Sequence, residues 1–132
     1  MTRTRIAILL SALTLTCATT LCVVASVFAD DQQLSDAKPI AGQWRGYVTT
    51  PAGTAPLDLT IKEDGSYTIV IYIRPPLNIS GAIFEFVDGK AHYKHSDGKT
   101  TGKWTLFVDA KGGRVLKGAT DDGRNSGEYS PR

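Results

Sequence analysis

The side chains best suited to acid–base or metal chemistry are His92 and His95. They sit three apart in a stretch of strand-forming residues, so their side chains are expected on opposite sides of a strand. That spacing does not bring two imidazoles onto one ion, and a zinc site here would have to recruit distant carboxylates. We therefore expect solvated strand histidines and no metal. The oxygen-rich run Asp121-Asp122-Gly123-Arg124-Asn125-Ser126-Gly127-Glu128 lacks the alternating ligand positions and the loop length of a calcium site, and reads as a Gly-rich hairpin turn. No Gly-x-Ser-x-Gly elbow is present. Ser96, His95 and Asp97 are chain neighbours and cannot fold back into a catalytic triad. Glu63-Asp64 belongs to a turn, and Glu85, set between Phe84 and Phe86, is explained by an outward orientation. Asn78-Ile79-Ser80 fits an N-glycosylation acceptor, relevant only in a eukaryotic secretory pathway. The expectation is a protein that is not an enzyme and carries no cofactor.

What remains is a surface. Arg74-Pro75-Pro76-Leu77-Asn78-Ile79 is an apolar, proline-stiffened loop, which reads either as a lid folded over the core or as a partner or ligand site. It leaves the most apolar strand candidate in the chain, Asp64 to Arg74, with Tyr67, Ile69, Ile71 and Ile73 on one parity and Thr68, Val70 and Tyr72 on the other.

That strand belongs to a series. Turn chemistry recurs at Pro51-Ala52-Gly53, Asp64-Gly65, Pro75-Pro76, Asp88-Gly89, Asp97-Gly98, Lys111-Gly112-Gly113 and Asp122-Gly123. Asp-Gly suits tight hairpins because glycine takes a positive φ without steric cost. The seven turns leave eight strands, placed at 42–50, 56–63, 66–74, 79–87, 90–96, 101–109, 113–120 and 126–130. Alternation points Trp44 and Val48 inward on the first, Leu57, Leu59 and Ile61 on the second, Tyr67, Ile69, Ile71 and Ile73 on the third, and Trp104, Leu106 and Val108 on the sixth. On the fourth it favours Ala82, Phe84 and Phe86 over Ile83 and Val87. No apolar period of 3.6 residues occurs from residue 40 onward, so no substantial helix is expected. Eight antiparallel strands on short turns form a meander. Closing it into a barrel removes the exposed edges and leaves an interior wide enough for side chains or one small ligand.

The chain has 132 residues. Residues 1–29 have the parts of a secretory signal: Arg3 and Arg5, an uncharged apolar run from Ile6 to Phe28, and Val27-Phe28-Ala29 before a cut near Ala29. An uncleaved anchor is the rival reading. Cys17 and Cys22 both fall inside this segment, so a cleaved protein would have no disulfide even after export. Loss of Arg3 and Arg5 brings Lys plus Arg from 15 to 13, equal to the 13 Asp plus Glu. A neutral chain gives no reason to expect nucleic acid or an anionic membrane as partner, and membrane contact is expected only through the signal segment. We read 30–39 as a flexible leader and 40–132 as a single domain, in a secreted or periplasmic protein.

Gly42-Gln43-Trp44 on the first strand of such a meander resembles the calycin group, the lipocalins, avidins and their relatives. The resemblance implies a small closed barrel in which the Trp closes one end under an Arg from late in the chain, here Arg114, Arg124 or Arg132. Ala41-Gly42-Gln43-Trp44 also resembles the start of the small β-barrel inhibitors of bacterial metalloproteases, which carry a disulfide that a cleaved chain would lack. The expected fold is an all-β, eight-stranded antiparallel meander closed as a lipocalin-like barrel. The expected function is a non-enzymatic binding protein for a small apolar ligand or a protein partner at one barrel end, with a secreted protease or hydrolase inhibitor as the alternative. Trp44, Tyr67, Phe84, Trp104, Arg74 and Leu77 are the candidate ligand-binding residues. If the four aromatic residues among them fill the interior, the partner must be met at the surface.

Overall fold

Apolar residues repeating every second position need a face to bury, and here they find it inside a closed barrel. A computed structural model describes residues 30–132. The signal read over 1–29, with both cysteines, lies outside the described residues. The strands are β1 (Asp30–Gln32), β2 (Gly42–Thr50), β3 (Gly53–Ile61), β4 (Ser66–Ile71), β5 (Leu77–Val87), β6 (Lys90–His95), β7 (Thr101–Val108), β8 (Arg114–Thr120) and β9 (Ser126–Pro131). Strands β2 to β9 pair antiparallel with their chain neighbours, and β9 returns to β2 to close an eight-stranded barrel. This is the expected fold class, with one strand more. The architecture is compatible with a calycin-like fold.

The additional strand comes from the segment read as a flexible leader. β1 pairs with the Leu106–Val108 end of β7, beyond the Thr101–Trp104 part that pairs with the shorter β6. The chain then tucks Leu34, 3% exposed, into the core, and the Leu34 N–H donates to the Gly89 carbonyl at 2.8 Å. A 3-10 turn at Lys38–Ile40 buries Ile40 completely. One leucine and one isoleucine in a polar stretch form no period, which is why the sequence pattern conceals the docking. Burying the two stabilises the barrel by about 1.5–3 kcal/mol each.

Strand direction alternates, so the connections fall at two ends. The turns at 62–65, 88–89 and 109–113 lie at the end where the N-terminal segment docks; those at 51–52, 72–76, 96–100 and 121–125 lie at the other. Trp44 seals the first end. Its indole N–H donates to the Ile40 carbonyl at 2.9 Å, and the Arg114 guanidinium lies over its ring, 5.2 Å from the centroid. Arg114 Nη1 also donates to the Pro39 carbonyl at 3.0 Å, tying the cation to the 3-10 turn. Of the three candidate arginines, Arg114 makes this contact, while Arg132 goes to the outer wall beside Asp58.

Three inward assignments fail, Ala82 and Phe84 on β5 and Ile73 beyond β4. On β5 the register slips between Ile83 and Glu85, a bulge opposite Tyr93 and His92 of β6. An extra residue flips the faces that follow. Ile79 and Ile83 therefore point inward before the bulge and Phe86 after it, and Phe84 is left outside at 55% exposure, edge-on to His92. Ile73 lies past the end of β4, in the loop, where alternation no longer applies, and it is exposed.

Candidate functional site

The inward aromatic residues do not fill the barrel, and the cross-strand register shows why. Tyr67 stands opposite Gly81, Tyr93 opposite Gly102, Trp104 opposite Gly118 and Tyr129 opposite Gly46. In each pair the ring is among the atoms a Cβ on the glycine would strike; at Gly46 the Glu128 carbonyl lies nearer still. A Cβ on Gly118, for example, would come within 2.7 Å of Trp104 Cδ1 and 2.9 Å of its Nε1. Each ring thus leans sideways along the wall over its neighbour strand and leaves the centre open. Large side chains on one strand paired with none on the next is an arrangement that only the register between strands creates.

The rings also order one another. Tyr93 stacks on Trp104 at 4.3 Å on one side and on His95 at 5.4 Å on the other, and Tyr67 meets all three edge-on. The Tyr67 hydroxyl and His95 Nδ1 are hydrogen-bonded at 2.7 Å. Burial pushes the Tyr67 and Tyr93 phenols up and the Tyr129 phenol up to about 12, so all three are neutral hydroxyls at pH 7. The same cause holds His95 below its usual value.

The space left is a cup of about 550 Å³. Val48, Leu57, Leu59, Ile69, Ile71, Ile79 and the rings of Tyr93, Trp104 and Tyr129 make its wall. Its mouth is at the end opposite Trp44, between Thr50, Leu77, Asn78, Ser96, Asp97, Thr100, Thr120, Asn125 and Ser126. Asp97 shapes that rim. Its Oδ1 accepts from the N–H groups of Lys99 and Thr100 at 2.8 and 2.9 Å, and its Oδ2 from the Thr100 hydroxyl at 2.8 Å. These donors hold its carboxyl down at about 2. Thr120 caps the neighbouring turn, donating to Asp122 Oδ1 at 2.7 Å. The arrangement is an apolar well with a hydrogen-bonding rim.

Of the six residues singled out from the sequence, Trp104 and Leu77 line the cup. Tyr67 is buried behind it, bracing Tyr93 and His95. Trp44 lies at the sealed end, Phe84 on the outer wall, and Arg74 is exposed in the mouth loop, all outside the lining. Tyr93 and Tyr129 were not singled out, and His95 was weighed only for metal or catalytic chemistry, not as part of a ligand site. The available signal was the glycines inside predicted strands, Gly102 and Gly118 above all, which mark places where something large lies against the backbone. The two histidines do fall on different sides: His95 lines the cup and His92 meets Phe84 outside. Among the described residues no group of three or more His, Cys, Asp or Glu is placed to hold a metal ion.

The outer wall has its own polar cluster. Asp58 accepts from Arg45 Nε at 2.9 Å and the Tyr72 hydroxyl at 2.6 Å, with Arg132 Nη1 at 3.7 Å. The Arg45 and Tyr72 hydrogen bonds hold the Asp58 carboxyl at about 2. Tyr47, on the same outward face of β2, is exposed. In comparisons with protein-family models, curated proteins and solved structures, no match to this chain was found.

Proposed function

We propose that the protein is a secreted or periplasmic binding protein, with no catalytic role of its own, that holds a small apolar molecule in the barrel cup. The observation that carries this reading is a cavity of about 550 Å³, apolar along its wall, open at one end and sealed at the other. Its size falls within the range of about 300–1,000 Å³ that small-molecule sites occupy. The export reading rests on Arg3, Arg5 and the apolar run that follows. Trp44 under Arg114 supports kinship with the calycin group, whose resemblance implies that contact.

Fluorescence titration with N-phenyl-1-naphthylamine tests the reading. We expect saturable one-to-one enhancement. Ile71→Trp, which puts an indole into the half-buried upper cup, should weaken it at least about tenfold, the scale of losing a small ligand's apolar contacts. Tyr47→Ala on the outer wall should leave it unchanged. No binding across a panel of neutral apolar probes sinks the proposal.

A second reading has its own observation. Ile73 and Leu77 are 46% and 45% exposed on either side of Pro75-Pro76. Apolar groups displayed on a stiff loop suit contact with a protein, including inhibition of a secreted protease. In that case Leu77→Asp should abolish inhibition of the susceptible member of a protease panel; inhibition that survives it excludes the loop.

A further inference from the structure

The charge of the cup narrows what it can hold, on the premise that the cup is the binding site. Among the described residues, none that lines the cup is Lys or Arg. The ionisable groups in the lining are Asp97, His95 and the phenols of Tyr93 and Tyr129. The phenols are protonated at neutral pH, and burial favours the neutral imidazole of His95. Among the described residues that line the cup, Asp97, at the rim and held ionised by the N–H groups of its own turn, is therefore the one formal charge. Arg74, Lys99 and Arg124 ride on the loops around the mouth, but their side chains are exposed and outside the lining.

An anionic head drawn below this rim would give up its water with no cation to replace it, and would face the Asp97 carboxylate. A neutral hydroxyl or amide finds partners instead at the rim in Thr50, Thr100 and Asn125. An ammonium finds Asp97 itself. We infer that the cup selects by charge: it takes an apolar molecule whose polar end is neutral or cationic, and rejects one that ends in a carboxylate.

One ring system with three head groups tests this. The protein is titrated calorimetrically at pH 7 and low salt with 2-naphthylmethanol, 2-naphthylmethylammonium and 2-naphthoate. The first two should bind at least about tenfold more tightly than the carboxylate, a modest effect for a like charge at close range. Asp97→Asn keeps an oxygen for the turn N–H groups and should narrow the gap, while Thr50→Lys, on the inward parity of Trp44 and Val48, should improve naphthoate binding specifically. Equal or tighter binding of 2-naphthoate to the unaltered protein overturns the inference and leaves the cup standing. If none of the three binds, or if Ile71→Trp fails to block them, the cup itself is not the site, and the charge rule falls with it.

Discussion

At the residue scale, the open interior depends on a division of labour between aromatic residues and glycines. Four rings, those of Tyr67, Tyr93, Trp104 and Tyr129, each lie over a glycine on the paired strand. Gly118 isolates the effect, because the closest neighbours of a Cβ added there belong to the side chains of Trp104 and Tyr129. Gly118→Ala should therefore force the indole from its place and cost about 1–3 kcal/mol, the usual range for overpacking a core. Urea denaturation measures the loss, and Trp fluorescence should report the displaced ring. A variant as stable as the parent would mean that the rings are not held by these glycines. Stabilisation of this kind is invisible to a residue-by-residue reading, since neither member of a pair identifies the other.

At the scale of elements, the N-terminal segment is part of the barrel. β1 covers the stretch of β7 that the short β6 leaves unpaired, and Leu34, Ile40 and the Arg114–Pro39 hydrogen bond fasten the segment across the sealed end. An uncovered strand edge is a template for association, so the segment also protects the sheet. Leu34→Ala should destabilise the protein by about 2–4 kcal/mol, as buried leucine truncations do. Because Leu34 lies at the end away from the mouth, probe affinity measured well below the transition should stay unchanged. Equal stability of the variant would show that the segment is a leader after all. The bulge in β5 is the other decision taken at this scale: it moves Phe84 outward and returns Phe86 to the core.

At the scale of the whole molecule, acid should weaken the barrel in two steps. Asp58 and Asp97 are held at about 2 by hydrogen bonds, and Asp64 and Asp122 are lowered in the same way by their turns. A carboxyl whose folded value lies below its unfolded value of about 3.9 contributes stability above that value and loses it as the pH falls through the folded one. His95 follows the same sign by another cause. Burial lowers its folded value, so its contribution is full above about 6.5 and declines below it as the imidazole charges in the unfolded chain. Urea midpoints measured from pH 8 to pH 2.5 should show a shallow decline starting near 6.5 and a steeper one below about 4. His95→Gln should flatten the first and Asp58→Asn the second. A flat profile down to pH 3 would contradict both assignments.

The sequence by itself determined the local layout. Seven turns, eight barrel strands and the inward parity of Leu57, Leu59, Ile61, Tyr67, Ile69 and Trp104 all follow from interactions between residues near one another in the chain. Glycine and proline punctuate, and β-branched and aromatic residues alternate. Tertiary structure decided the rest. Which arginine covers Trp44, where β1 docks, that Phe84 faces water and that the barrel encloses a cup depend on partners far apart in sequence. The physical reason is register. Side-chain periodicity states which residues share a face, but only strand pairing sets Tyr93 against Gly102 and Trp104 against Gly118, and so decides whether bulky rings fill a barrel or line it.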